Sequence, residues 1–215
     1  MMGRLIWSGN DGESKTMCKK YPINTIAICG QTATGKNFIV NKLLEYYPHK
    51  LNRIVSYTTR PPRANEVDGV DYHFITEEEF KKSIEDNEFL EWKVFNNWYY
   101  GTKKNSFYEV KPNIAIFNAY GIEDIVEHYH EKPGKLLIVY LTCPLFTQIK
   151  RYLKRASPDS VLRRIKADKR DFNGFEKFVK SSNRRHSNMR YIKLDTKKYP
   201  YYFIVREIVR VWKSF

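Results

Sequence analysis

The segment 30–37 contains the residue types that bind phosphate. It reads Gly-Gln-Thr-Ala-Thr-Gly-Lys-Asn, which is the G-x-x-x-x-G-K pattern without its usual closing serine or threonine. In such a loop, backbone N–H groups point at phosphate oxygens, the following helix adds its positive end, and Lys36 supplies a point charge. An ordinary glycine-containing turn can share this pattern, but here an apolar run precedes it and an amphipathic stretch follows it. We therefore predict a triphosphate-binding loop formed by Gly30, Thr32, Ala33, Thr34, Gly35, Lys36 and Asn37.

The last position of this loop bears on a metal ion. The hydroxyl that normally closes the pattern binds Mg²⁺ in related loops. Asn37 offers an amide oxygen instead, which is a possible but bulkier and uncharged ligand. We predict Mg²⁺ as the cofactor, entering with the triphosphate and touching Asn37.

The stretch 56–102 carries a specific combination of motifs. They are Ser-Tyr-Thr-Thr-Arg-Pro-Pro-Arg at 56–63, Glu66, Asp-Gly at 68–69, Asp-Tyr-His-Phe at 71–74, Glu-Phe-Leu-Glu-Trp at 88–92 and Tyr-Tyr-Gly-Thr at 99–102. In this order and spacing they strongly resemble the guanylate kinase family, and the resemblance extends from about residue 23 to the C-terminus. It implies transfer of the ATP γ-phosphoryl group to GMP or dGMP, with these nucleotides as the partners.

The resemblance also implies a role for each polar residue of this stretch. Two guanidiniums can bind a monophosphate through paired N–H bonds, and two tyrosine hydroxyls can donate to it. Glu91 can accept from both N1–H and the N2 amino group of guanine, a donor pair that adenine lacks. Taken singly, such residues are more often surface arginines, core aromatics or solvated carboxylates. The implied GMP-binding set is Ser56, Arg60, Arg63, Glu66, Tyr72, Glu91, Tyr100, Thr102 and Asn118.

Arginines on the later helices resemble those of the family's lid. Arg151 and Arg155 are four residues apart on a predicted helix and share a face, and Arg164 follows on the next helix. The resemblance implies that these three arginines close over the donor nucleotide and stabilise the charge of the transition state. It therefore assigns them, together with Lys36 and Arg60, as catalytic residues. A solvated helical face is the alternative for each of the three arginines.

Two positions depart from the family pattern. Asn118 stands where the family has an aspartate, and Leu194 stands where it has an asparagine beside the donor base. With Asn37, both metal-side residues are asparagine, so negative charge near Mg²⁺ is lost. These changes bear on the expected rate and donor choice, and they leave open a catalytically impaired nucleotide- or phosphoprotein-binding module.

Strands alternate with helices along most of the chain, which predicts an α/β fold. We expect a P-loop-type parallel sheet flanked by helices, with an inserted mixed α/β subdomain that binds the monophosphate, and a helical lid. Predicted strands are 23–29, 54–58, 113–118, 136–142 and 191–195, and predicted helices are 36–47, 77–86, 122–130, 145–155, 160–187 and 201–212. The predicted organisation is a flexible tail (1–22) and one domain (23–215), comprising a core (23–54, 106–148, 169–215), an insertion (55–105) and a lid (149–168).

Composition excludes several classes of protein. No apolar run approaches the ~20 residues of a membrane span, and the start lacks a signal-peptide pattern. The three cysteines are odd in number and show no metal-ligand spacing, so we expect a reducing, cytoplasmic location. The net charge is +14, and 150–190 holds 14 Lys and Arg against 4 Asp and Glu. A polyphosphate nucleotide accounts for part of this charge, so nucleic acid is the less favoured partner; the oligomeric state is not predicted.

Overall fold

The computed structural model describes residues 24–63, 66–95, 97–108, 110–130, 134–154 and 160–215. The predicted tail over 1–22 therefore lies outside the described residues. Nine strands are described: β1 (Thr25–Cys29), β2 (Asn52–Arg53), β3 (Tyr57–Thr58), β4 (His73–Phe74), β5 (Phe89–Phe95), β6 (Trp98–Lys103), β7 (Asn113–Phe117), β8 (Leu136–Thr142) and β9 (Met189–Asp195). Seven α-helices are described: α1 (Lys36–Tyr46), α2 (Glu77–Glu85), α3 (Ala119–His130), α4 (Leu145–Leu153), α5 (Val161–Asp171), α6 (Phe175–Arg185) and α7 (Tyr201–Lys213).

The core is a parallel sheet with the strand order β2-β7-β1-β8-β9. β1 and β8 read as continuous apolar runs because helices cover both faces of the sheet. Alternate residues of β1 point to opposite faces, so Ile26 and Ile28 pack with α1 and α7 while Ala27 and Cys29 pack with α3 and α6. This arrangement confirms the predicted α/β class and brings the carboxyl ends of the strands to one edge.

The inserted segment forms a second, mixed sheet with the order β4-β3-β6-β5. Helix α2 begins at a capping box, in which Thr76 and Glu79 satisfy each other's backbone N–H groups. Its Phe80 is fully buried and stacks on Phe89 of β5 with ring centroids 4.3 Å apart. The predicted subdomain is thus a small α/β layer, whereas its exact limits and those of the lid stay predictions.

Two predicted elements were wrong in their continuity. Of the strand predicted over 54–58, only Tyr57–Thr58 (β3) is a strand, because the first sheet ends with β2 (Asn52–Arg53), Ile54 makes one further bond to β7, and the chain then crosses to the second sheet. The single helix predicted over 160–187 is divided into α5 and α6 at Gly174, whose φ of 76° is left-handed. A side chain at this position would be strained, so the sequence carries glycine there.

Candidate active site

The loop between β1 and α1 has the shape that the sequence predicts. Gly30 passes so close to β8 that a Cβ would lie 2.3 Å from the Leu141 carbonyl oxygen, so only glycine fits. Gly35 is left-handed, with a φ of 95°, and precedes α1 without any side-chain cap. Among the described residues, no side chain caps the first N–H groups of α1, so they are available to an anion held by the loop.

Lys36 folds back onto the loop that it follows. Its Nζ donates to the carbonyl oxygens of Gly30 at 2.7 Å and Gln31 at 2.9 Å. These two bonds fix the ammonium inside the curve of the loop. The charge therefore lies beside the backbone that would surround a phosphate chain.

Helices α4 and α5 bring further groups to the loop. Arg151 donates to the Ala33 carbonyl at 3.4 Å and to the hydroxyl and carbonyl of Thr196 at 2.9 and 3.2 Å. Thr196 in turn donates to the Thr34 carbonyl at 2.8 Å. From α5, Asp168 accepts from the Thr32 N–H at 2.7 Å. Arg155 lies outside the described residues.

A cavity of about 700 Å³ opens beside the end of the loop. Its walls come from α1, α4 and the segment that follows β9, and include Gly35, Phe38, Arg151, Thr196, Tyr199 and Tyr201. Phe38 and Tyr201 meet edge to face with ring centroids 5.6 Å apart. The cavity has aromatic walls and cationic groups at its rim, which suits the nucleoside of a nucleotide whose phosphates occupy the loop.

Arg60 is buried within the insertion, with 5% of its surface exposed. It donates from Nη2 to both carboxylate oxygens of Glu66 at 2.9 and 2.7 Å, and from Nη1 to the Pro61 carbonyl at 2.6 Å. Burial opposes ionisation of Glu66, but the Arg63 backbone N–H and the Arg60 guanidinium hold the pKa of that carboxyl below its usual range. Glu66 is therefore a fixed anion that orients both arginines.

One tyrosine, Tyr72, faces this guanidinium, and a second, Tyr100, packs against Tyr72. The Tyr72 ring lies 5.6 Å from Arg60 Cζ, and the Tyr72 and Tyr100 ring centroids are 6.0 Å apart. Tyr100 is held opposite Thr58 by the pairing of β3 with β6. The structure thus brings Arg60, Tyr72 and Tyr100 together, with Arg63 on the exposed side, as a phosphate site needs.

Glu91 occupies the other end of the same subdomain. Thr102 donates from Oγ1 to Glu91 Oε1 at 2.6 Å, and the Ser56 hydroxyl lies 3.2 Å from Thr102. Burial, helped by the charge of Asp124, raises the pKa of Glu91 to about 7 against the opposing effects of the Thr102 bond and Lys93. A desolvated carboxylate beside two hydroxyls can read donor and acceptor groups on one edge of a base.

The protein-family model described as guanylate kinase matches residues 23–178, which is well over half of the chain. The chain belongs to the guanylate kinase family. The matched range includes both the phosphate loop and the Arg60 and Glu91 clusters, and it ends within α6. The resemblance found in the motifs is therefore confirmed.

Individual members of the family match parts of the chain. The guanylate kinase of an aster yellows witches'-broom phytoplasma is 32% identical over 151 residues, which cover 68% of this chain and 72% of that protein. The Helicobacter pylori enzyme (strain ATCC 700392 / 26695) is 40% identical over 110 residues, which cover 49% of this chain and 53% of that protein. The Schizosaccharomyces pombe enzyme is 40% identical over 89 residues, which cover 41% of this chain and 44% of that protein. The chain thus aligns with about half the length of the last two.

A solved structure supports the fold independently. The crystal structure of guanylate kinase from Anaplasma phagocytophilum superposes with a TM-score of 0.62 at 18% identity, covering 89% of this chain and 86% of that one. At this level of sequence identity, the similarity supports the fold alone. In the described part of the chain, no helix has the length and apolar character to cross a membrane.

The two asparagines of this guanylate kinase family member lie on different sides of the site. Asn37 is exposed at the start of α1 and lines a small pocket together with Ser56, Asp71 and Tyr72. Asn118 accepts from the Gly121 N–H at 2.8 Å and so caps α3. Both Asn118 and Glu91 lie next to Gly121, where a Cβ would be 3.5 and 3.4 Å from their side-chain oxygens. Asn118 therefore borders the Glu91 end of the site.

Leu194 does not reach the cavity beside the loop. It is 6% exposed and packs in the core with α7. Thr196, two residues later, contacts the loop instead, and sequence reasoning missed it. Its position just after a parallel strand was a usable signal, because the carboxyl edge of such a sheet carries the binding residues.

Proposed function

We propose that this chain transfers the γ-phosphoryl group of ATP to GMP or dGMP, giving ADP and the nucleoside diphosphate. The observation that carries the proposal is the pairing of two sites in one insertion. The buried Glu91 carboxylate with Thr102 suits guanine, and Arg60 with two tyrosines suits the monophosphate. The phosphate loop on the core supplies the donor side.

In this proposal the chemistry rests on positioning and charge. The acceptor phosphate is already an anionic nucleophile, so no side chain must remove a proton from it. Lys36 and Arg151 border the donor phosphates, Arg60 and Arg63 hold the acceptor, and Arg155 and Arg164 complete the predicted cationic set. The thirteen other assigned residues keep their predicted binding roles as part of the proposal: Gly30, Thr32, Ala33, Thr34, Gly35, Asn37, Ser56, Glu66, Tyr72, Glu91, Tyr100, Thr102 and Asn118.

Magnesium enters this proposal with ATP. Asn37 is exposed at the end of the loop, and its amide oxygen suits a hard cation. Because that ligand is uncharged, the triphosphate would provide most of the negative charge around the ion. When bound, the ion neutralises charge on the transferring group. A cytoplasmic location is part of the same proposal.

The choice of base gives the direct test. We expect GMP to bind at least about tenfold more tightly than AMP, or ~1.4 kcal/mol, because only guanine gives Glu91 two donors. Calorimetric titration of the purified protein with both monophosphates measures the ratio. Glu91→Gln should remove the preference. Glu88→Gln, a matched change at an exposed carboxylate paired with Lys103, should keep it. Equal affinities for GMP and AMP in the wild type would contradict the assignment.

The pH dependence of GMP binding should report the same carboxylate. The raised pKa means that the free protein holds a proton on Glu91 below about pH 7, whereas guanine N1–H needs the ionised acceptor. GMP affinity should therefore fall as pH falls, by about tenfold from pH 8 to pH 6.

The GMP phosphate itself titrates in this range, as does Asp124, whose pKa burial raises to about 6. The GMP affinity of the wild type is therefore compared with that of Glu91→Gln at each pH. The ratio of the two affinities isolates the contribution of Glu91 ionisation. A ratio that does not change with pH would show that Glu91 stays ionised or does not contact the base.

A further inference from the structure

A carboxylate of α5 is bonded to the phosphate loop. Asp168 Oδ2 accepts from the Thr32 backbone N–H at 2.7 Å, a contact across 136 positions of sequence. Burial raises the pKa of Asp168, and the Thr32 bond and the charges of Lys36 and Arg164 oppose the rise. These are the kinds of group that a phosphate would engage: a loop N–H, the loop lysine and an arginine of α5.

Two contacts hold α5 in this position against the insertion. Lys93 of β5 pairs with Asp171 at 3.3 Å, and the Arg164 guanidinium lies 4.5 Å from the centre of the Phe95 ring. Lys93 and Phe95 both belong to β5 and lie within four positions after Glu91. Helix α5 therefore spans from the predicted guanine strand to the donor loop.

The geometry points to an autoinhibitory contact: in the nucleotide-free protein, Asp168 occupies a donor-phosphate position of the loop, and a triphosphate must displace it to bind. This inference rests on the donor role proposed above. A carboxylate and a phosphate oxygen cannot share one N–H donor without strong repulsion between like charges at short range. Donor binding is thus coupled to release of α5 from the loop.

The contact lowers the apparent donor affinity, because only the fraction of free protein in which the contact is open can bind the donor. If it is formed in roughly nine-tenths of the free protein, apparent donor affinity is about tenfold below the intrinsic value. Asp168→Ala should therefore bind inorganic tripolyphosphate, and ATP, about tenfold more tightly than the wild type. Asp168→Asn should shift affinity in the same direction, because a neutral amide oxygen accepts a weaker bond from Thr32 than a carboxylate does and is more easily displaced by a phosphate.

The experiment is calorimetric titration of the wild type and the variants with tripolyphosphate and with ATP. Glu176→Ala is the matched control, since it removes a carboxylate that pairs with Lys180 and Lys193 instead of the loop. Its tripolyphosphate affinity should stay within about twofold of the wild type. Thermal unfolding verifies that each variant is folded. If Asp168→Ala is not folded, Asp168→Asn takes its place in the comparison with the wild type.

A second readout does not depend on any ligand. Hydrogen exchange at the Thr32 amide, followed by NMR in the free protein, should be slow in the wild type and faster in Asp168→Ala. An exchange rate at Thr32 that is the same in the wild type and in Asp168→Ala would overturn the autoinhibitory contact alone. The same conclusion would follow if the wild type binds tripolyphosphate and both Asp168 variants bind it equally well or more weakly. Failure of every form to bind either tripolyphosphate or ATP would overturn the donor role and this inference with it.

Discussion

Replacing Lys36 with methionine is expected to lower the rate of phosphoryl transfer about 100- to 1000-fold, or about 2.7 to 4 kcal/mol. The ammonium is fixed by the Gly30 and Gln31 carbonyls inside the loop, where charge develops on the transferring group. Methionine keeps most of the length and the flexibility of the side chain and removes the charge together with the two bonds to the loop carbonyls. Release of ADP in the presence of ATP and GMP, measured at saturating GMP, gives the rate.

Lys42→Met provides the matched control for this change. Lys42 lies on the same helix, pairs with Glu45 and lies over the Phe38 and Tyr201 rings, so its replacement removes an equal charge outside the phosphate loop. We expect its rate to stay within about twofold of the wild type, since exposed pairs contribute little. A Lys36→Met rate within tenfold of the wild type would mean that the loop lysine has a structural role only.

Replacing Arg60 with alanine is expected to weaken GMP binding about 100-fold and to leave ATP binding nearly intact. Hydrogen bonds to charged groups contribute about 1.5 to 3 kcal/mol each. The contacts of Arg60 with Glu66 and Pro61 use no more than three of its five N–H donors, so at least two remain for a phosphate. Separate titrations with GMP and ATP give both affinities.

Arg60 also has a structural contact, which the controls must separate. Its removal leaves the Glu66 side chain, which is 15% exposed, without its main partner, so the free energy of unfolding should fall as well. Arg60→Lys keeps a charge but not the paired geometry and should be intermediate in GMP affinity. Glu66→Gln keeps the guanidinium and should weaken GMP binding far less. Equal losses of ATP and GMP affinity in a folded Arg60→Ala protein would assign Arg60 to the fold.

The parts of the site that follow one another in sequence could be predicted from it. The loop 30–37 and the Arg60 turn are local: their glycines, prolines and flanking apolar runs specify their shape directly. β8 was predicted with its observed bounds because its apolar run is long and is bounded by turn residues. Glu91 and Thr102 came from the family pattern, and the register of β5 with β6 places them side by side.

Contacts between distant segments could not be predicted in the same way. Asp168 lies within a basic stretch and carries no motif, and only the docking of α5 places it at Thr32. Lys93 likewise pairs with an acid 78 positions later. Leu194 was placed by the resemblance at a position where the family has an asparagine beside the donor base, and here the leucine packs into the core. In each case tertiary packing decided the position, and no local pattern reports it.

The strand order also constrains how this protein is made. β1 lies between β7 and β8, so both of its edges remain unpaired during synthesis until residues 113–142 have left the ribosome. The second sheet needs only residues 57–103 and can form earlier. Because the Leu141 carbonyl shapes the turn at Gly30, the donor loop takes its final form only when β8 docks. A nascent chain therefore acquires its acceptor subdomain before its donor loop, and apolar β1 is exposed to aggregation in between.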